Sequence, residues 1–465
     1  MVTISGLSDV SGRCERTDIT SNTNKKFGEK MKTSAKLGAL LLAALVTACT
    51  PEEEAATANS ADSADAAEFQ KQLLKQLIQA QPGDVIEIPE GRFQLNRSLS
   101  LNVDGVTIRG AGMDKTILSF KNQIQGAEGL LVNASDFTIE DLAIEDTIGD
   151  ALKVNEGKNI VIRDIRVEWT NGPATENGAY GIYPVQTENT LVEGTVAIGA
   201  SDAGIYVGQS RNVIVRNNRA EYNVAGIEIE NTIGADVYDN VATNNTGGIL
   251  VFNMPNLPQP GHSTRVYNNK VFKNNYENFG HEGTPVAAVP AGSGVVINSN
   301  DFVEIFNNEI SDNDTANVIV SSYFAAGYYS DKSTQENFDP YPEGIYIYDN
   351  TFSGGGKSPD DLELKALKIA KFGLTGSLPD VLWDGAVDKE KMVDGKLPEN
   401  LKLCIQNEGV GIINVDLQGG YKNITTDISA HQCNLKKLPQ VVLDFDSNQE
   451  EPQEEQHAIN EVTDA

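Results

Sequence analysis

Apolar and polar residues alternate along this chain in very short runs that recur. A small residue followed by apolar-x-apolar appears at 129-GLLV, 151-ALKV, 181-GIYP, 204-GIYV, 226-GIEI, 248-GILV, 294-GVVI and 317-NVIV, with starts separated by 22, 30, 23, 22, 22, 46 and 23 residues. Between them runs a second series: 139-IEDLAI, 162-IRDIRV, 215-VRNNRA, 237-VYDNVA, 266-VYNNKV, 305-IFNNEI and 347-IYDNTF. Alternation over three to five residues, punctuated by Gly and Asn, predicts strands joined by tight turns. Helical repeats would need long runs of period 3.6, and these do not occur. A period near 22 residues with two or three strands each predicts a right-handed parallel β-helix, an all-β solenoid whose coils rise about 4.8 Å.

Asn218, Asn240, Asn269, Asn308 and Asn350 fall at one corner of successive periods. Asn tolerates left-handed backbone and its amide can bond from coil to coil, so this column reads as scaffold. The gap of 46 holds only one Asn-Asn pair, 268-NN-269, and so reads as one coil with insertions at 253–264 and 272–293. A third insertion, 321–343, is rich in aromatic residues. The solenoid is expected over 85–356. Its open end needs a cap, and 67–84 supplies one as a helix with Phe69, Leu73, Leu74, Leu77 and Ile78 on one face, stopped by Pro82-Gly83. Past Gly356 the pattern changes, and 357–447 is expected to be a C-terminal cap or small appended domain, with 448–465 an acidic disordered tail.

The stretch 31-MKTSAKLGALLLAALVTACT-50 has a basic start, an apolar run too short to span a bilayer, and small residues before Cys49. Val46-Thr47-Ala48-Cys49 resembles the bacterial lipobox, which implies a signal peptide over 31–48 and a lipid anchor on Cys49. Thr50 in place of Asp then implies the outer membrane, with the periplasmic or surface face left open. Residues 1–30 read as an upstream extension with Met31 the initiator, and 49–66 as a flexible acidic tether. Two cysteines remain in the mature body, Cys404 and Cys433. An oxidising compartment favours a disulfide between them, stabilising by roughly 3–4 kcal/mol.

Acids outnumber bases 66 to 36, a net charge of −30. Such a chain repels nucleic acid and anionic lipid, and it speaks against a strongly anionic polymer unless cations cluster locally. No zinc, nucleotide or hydrolase-triad motif occurs, and the four His are isolated, so neither metal nor cofactor is expected.

Aligning the periods places Leu131, Lys153, Tyr183, Tyr206, Glu228, Leu250, Val296 and Ile319 in one outward row, polar in the middle and apolar at both ends. Asp150, Tyr180, Asp202 and Glu230 flank it. Neighbours in such a row lie about 5 Å apart, so Lys153 to Glu228 spans roughly 15 Å, the length of a few sugar units. Tyrosines can stack on sugar rings, and charged groups can bond hydroxyls. A solenoid face must also display polar residues somewhere, and the row has that plainer reading too.

The opening strands 85-VIEIPEGRFQL-95 and 105-GVTIRGAGMDKTILSF-120 resemble those of pectate-lyase-like β-helix proteins, and the repeats resemble the NosD-like carbohydrate-associated group. Segments 180-YGIYPVQ, 276-YENFGHEGTPVAAVPAGSGV, 302-FVEIFNNEI and 339-DPYPEGIYIYDNTFSGGG look like a group of bacterial β-helix repeat proteins of unassigned function. Tyr180 to Gln186 is also similar in spacing to the Tyr-Gly-x-Asp-Pro-His-Glu-type motif of alginate C5-epimerases. Tyr183 stands where that motif has Asp, and Val185 where it has His. If the protein is an enzyme, Tyr180 or Tyr183 beside Lys153 is the candidate base. Polysaccharide binding through Lys153, Tyr183, Tyr206, Glu228, Glu230 and Asp150 is the expected function. A uronate epimerase or lyase is the first alternative. An envelope scaffold gripping another protein through its insertions is the second.

Overall fold

The computed structural model describes residues 58–326, 338–443 and 445. The expected extension 1–30, signal peptide 31–48, Cys49 and tail 448–465 lie outside the described residues.

The fold is a right-handed parallel β-helix built on two extended parallel sheets, one of 11 strands and one of 19. In the 11-stranded sheet one inward column passes in register through Leu130, Leu152, Ile182, Ile205, Ile227, Ile249, Val295, Val318, Val381 and Ile412. All of these are buried. Branched side chains stack without gaps at the coil spacing, which is why the short apolar triplets recur at a fixed period.

Gly247–Phe252 pairs directly with Ser293–Asn298, so the 46-residue gap is one coil carrying two insertions. The Asn column is a hydrogen-bonded ladder: Asn218 Nδ2 donates to Asn240 Oδ1 at 3.0 Å, and the chain continues through Asn269, Asn308, Asn350 and Asn407. The left-handed residue is not the ladder Asn but the one before it: Asn217, Asp239, Asn268, Asn307 and Asp349. The ladder Asn instead buries its amide. A second ladder, which sequence reading missed, runs through Asn223, Asn245, Asn274 and Asn313.

At the N-terminus the helix Ala58–Gln79 begins inside the segment expected to be tether. Leu73 and Leu77 are buried on the solenoid and Phe69 stacks on Phe93 at 3.7 Å, but Ile78 is exposed. At 100° per residue, Ile78 falls off the stripe that Leu73 and Leu77 define.

The solenoid does not stop at Gly356. Val381–Trp383 and Ile412–Asn414 extend the 11-stranded sheet, and Cys404–Gln406 extends the other. The helix Leu362–Phe372 is an excursion between coils. Cys404 and Cys433 are disulfide-bonded. Beyond Cys433 the chain turns back along the outside of the 19-stranded sheet. Leu438 N donates to Glu304, Val441 N donates to Asp236, and Val441 and Leu443 pack with Leu191 and Ile214.

Candidate functional site

The outward row is in the register that the repeat predicts. Leu131, Lys153 and Tyr183 are direct neighbours, Tyr206 pairs with Glu228, and Glu228, Leu250, Val296 and Ile319 follow in order. Its two ends differ in cover. From Leu250 on, the row is roofed by Val286 and Val289 of the 272–293 insertion and by Leu364 and Leu367 of the 362–372 helix. Beneath that roof is a cavity of about 670 Å³, with Phe252, Val296, Ile319 and Leu382 on its wall and Asp360, Asp361 and Glu363 among its lining residues.

The polar part is not an open platform. Asp150, Lys153, Tyr180, Tyr183, Asp202 and Glu230 are half-buried, while Tyr206 and Glu228 are each only 4% exposed. Period-2 alternation says which way a side chain points but not what packs on it, so sequence reading placed Tyr206 and Glu228 on the surface. In the fold the Tyr180 and Tyr183 rings lie 4.5 and 4.9 Å from the Tyr206 ring and cover it. Tyr180 and Tyr183 are themselves 4.5 Å apart, so the three rings form one packed cluster.

Gly208 makes that packing feasible. A Cβ there would lie 2.3 Å from Cε1 of Tyr206 and 2.5 Å from its hydroxyl. The Tyr206 ring therefore folds along its own strand, and its hydroxyl accepts a hydrogen bond from Gln209 Nε2 at 3.0 Å. Gln209 Nε2 also reaches Glu230 Oε1 at 3.4 Å. Lys153 Nζ stands 4.7 Å above the Tyr183 ring centre and 4.0 Å from Asp150 Oδ2, and Asp150 Oδ1 accepts from Tyr180 N at 3.3 Å.

These surroundings shift the acids strongly. Burial raises Asp150 to about 6 against the pull of Lys153. Burial and then the charge of Glu230 raise Asp202 to about 8. Burial raises Glu230 to about 7, with hydrogen bonding from Tyr206 and Glu228 opposing it. Glu228 is raised well above its ordinary value by burial and then by the charges of Asp202 and Glu230. The phenols move the same way. Burial, then the neighbouring acids, push Tyr183 up to about 12 and Tyr180 further still. Lys153 lies over the Tyr183 ring, where it stabilises the π face and does not ionise the hydroxyl. Both tyrosines are thereby held in the phenol form at neutral pH.

The epimerase-like stretch forms the strand Tyr180–Val185, in which Val185 is buried. Acids reach this strand from its neighbours, Asp150 from the coil before it and Asp202 from the coil after. Sequence reading named these acids singly but missed that they gather without cations. The signal was present: on the other sheet Arg163, Arg166, Arg216 and Arg265 alternate with acids, whereas the strands carrying Asp202, Glu228 and Glu230 hold no Lys or Arg.

Residues 94–271 match the family model described as the right handed beta helix region, which with the geometry defines the class of fold. The chain is similar to the A-module of mannuronan C-5 epimerase AlgE4 from Azotobacter vinelandii, at 19% identity and a TM-score of 0.50, covering 75% of this chain and 91% of that one. It is also similar to the AlgE6 A-module from the same organism, at 17% identity and 0.46, covering 74% and 89%. The catalytic unit of an α-1,3-glucanase from Streptomyces thermodiastaticus matches at 16% identity and 0.41, covering 68% and 47%. A search of curated proteins finds no match. At 19% identity the likeness to the AlgE4 module shows the fold alone.

Proposed function

We propose that the protein binds a saccharide chain against the outer face of the 11-stranded sheet, at Asp150, Lys153, Tyr183, Asp202 and Glu230. The observation that carries this reading is the half-buried cluster itself: three packed tyrosines beside four carboxyl groups and one ammonium group, brought together at four consecutive strands of that sheet. Carboxyl and ammonium groups hydrogen-bond sugar hydroxyls, and a tyrosine edge supplies apolar contact for a ring face. Tyr206, being buried, supports the surface and does not form it. The fold likeness to a mannuronan C-5 epimerase module supports saccharide as the ligand class.

Binding is favoured over proton abstraction because the tyrosines sit among acids that hold them as phenols. A uronate would also bring its own negative charge to a site that already carries four acids. The test is retention of the purified mature protein on a panel of neutral, amino and uronic polysaccharides, with unsaturated product followed by absorbance. Retention without product supports the reading. A new unsaturated product would instead establish lyase chemistry, and no retention on any saccharide moves the weight to a protein partner.

We also propose export and lipid anchoring at Cys49, supported by the lipobox-like Val46–Cys49. Cys49→Ser is expected to leave the membrane fraction and to lose labelling by a fatty-acid analogue. A variant that stays membrane-bound would contradict the anchor.

A further inference from the structure

Among the described residues, the other buried acids come with a cation or with several hydrogen-bond donors. Glu145 pairs with Arg92 at 2.5 Å and with Arg166 at 2.9 Å. Asp236 and Glu304 share Arg265 at 3.0 and 3.7 Å. Asp301, Asp339 and Glu343 draw together, and the Lys391 ammonium bridges Asp339 and Glu343. Asp384 has no cation, but Ser322 N, Ser322 Oγ and Ala386 N donate to it.

Among the described residues, Asp202, Glu228 and Glu230 break this rule, since none of the three forms an ion pair. Glu230 draws its hydrogen bonds from neutral groups, Gln209 at 3.4 Å and then Tyr206 and Glu228, and Glu228 Oε2 is buried with no hydrogen-bond partner. Leaving a buried carboxyl oxygen unpaired is costly, and a site that keeps one is arranged for a donor that arrives later. Lys153 does not fill the role, because its ion pair is with Asp150.

We propose that the missing cation belongs to the ligand: the saccharide carries free amino groups, and a protonated amine docks among Asp202, Glu228 and Glu230. This rests on the saccharide reading above and names its substrate class. A bare metal ion fits less well. Among the described residues the acids whose ligand atoms all fall within 4.8 Å of one another are Asp301, Asp339 and Glu343, not these three. An ammonium group needs no such closure, and the Lys391 bridge shows how this chain accommodates one. The raised acids add a signature: an incoming cation favours their ionised forms, so binding near pH 6 expels protons into solution.

The test is calorimetric titration of the mature protein near pH 6 and 0.15 M salt, in two buffers of different ionisation enthalpy. The probes are a glucosamine tetramer, its fully N-acetylated counterpart and a galacturonate tetramer. The glucosamine tetramer is expected to bind at least tenfold tighter than the N-acetylated one and to release protons, with the galacturonate weakest. Glu230→Gln and Asp202→Asn, each nearly isosteric, are expected to abolish that preference so that the two neutral-backbone ligands bind alike. Equal affinity in the wild type overturns the cation proposal while leaving saccharide binding intact. Binding by none of the three overturns both. A preference that survives in both variants assigns the effect to the overall charge of −30 and overturns the proposal.

Discussion

Replacing Glu228 by Gln should make the protein more stable, which is unusual for a buried position in a repeat. The wild-type carboxyl is 4% exposed, one of its oxygens has no partner, and burial together with Asp202 and Glu230 raises its pKa well above 4.5. The folded protein therefore keeps the Glu228 proton to higher pH than the unfolded chain, which ionises it near 4.5. Each pH unit over which that proton is held costs about 1.4 kcal/mol, which caps the cost at ~3 kcal/mol by pH 7. Gln has nearly the same shape and needs no proton, so Glu228→Gln should gain up to ~3 kcal/mol at pH 7. The sign follows from the direction of the shift. A raised acid contributes its stability fully below the unfolded pKa and loses it as pH rises toward the folded one. The gain should accordingly vanish near pH 4 and grow with pH. Denaturant unfolding of wild type and variant near pH 4, 5.5 and 7, followed by circular dichroism, measures it. A variant no more stable than wild type at pH 7, or a gain independent of pH, would refute the claim that Glu228 is an uncompensated buried acid.

The same linkage predicts that the wild type loses stability from about pH 4, where the unfolded acids ionise, until Asp150, Glu230 and Asp202 ionise in the folded protein at about 6, 7 and 8; thermal midpoints across that range check the direction. Gly208→Ala drives a methyl group into the Tyr206 ring and should weaken saccharide retention severalfold while the circular dichroism spectrum stays that of a β-helix. Asn269→Ala leaves Asn240 N, Asn240 Nδ2 and the Val237 carbonyl without their partners in a buried ladder, and should destabilise by ~2–4 kcal/mol in the same unfolding assay. Reducing the Cys404–Cys433 bond, which closes a separation of 29 residues, should lower the unfolding midpoint by an amount equivalent to ~3–4 kcal/mol.

The solenoid was legible because its inward column is written in branched apolar residues at a fixed period, from Leu130 through Ile412. The outward row was legible for the same reason, since parallel register carries a known strand to its neighbours. The Asn218 ladder showed itself as recurring Asn-Asn and Asp-Asn pairs, whereas Asn223, Asn245, Asn274 and Asn313 stand in less uniform sequence and were passed over. Burial of Tyr206 and Glu228 could not be read, because it depends on side chains from other coils closing over the row. Nor did anything local reveal that residues beyond Cys433 fold back to Asp236 and Glu304: those contacts join positions 205 and 134 residues apart. The uncompensated acids were visible as an absence of Lys and Arg from particular strands. Their meaning needed the ion pairs elsewhere for contrast.

Retention of wild type and Tyr183→Ala on immobilised neutral and amino polysaccharides decides whether the tyrosine cluster is a saccharide site. Tyr183 is half-buried at the accessible end of the cluster and carries the Lys153 contact, so its loss removes the ring surface while leaving the inward column untouched. The account predicts that at least one matrix retains the wild type and releases Tyr183→Ala. Equal retention of both proteins, or no retention of the wild type on any matrix, would contradict it.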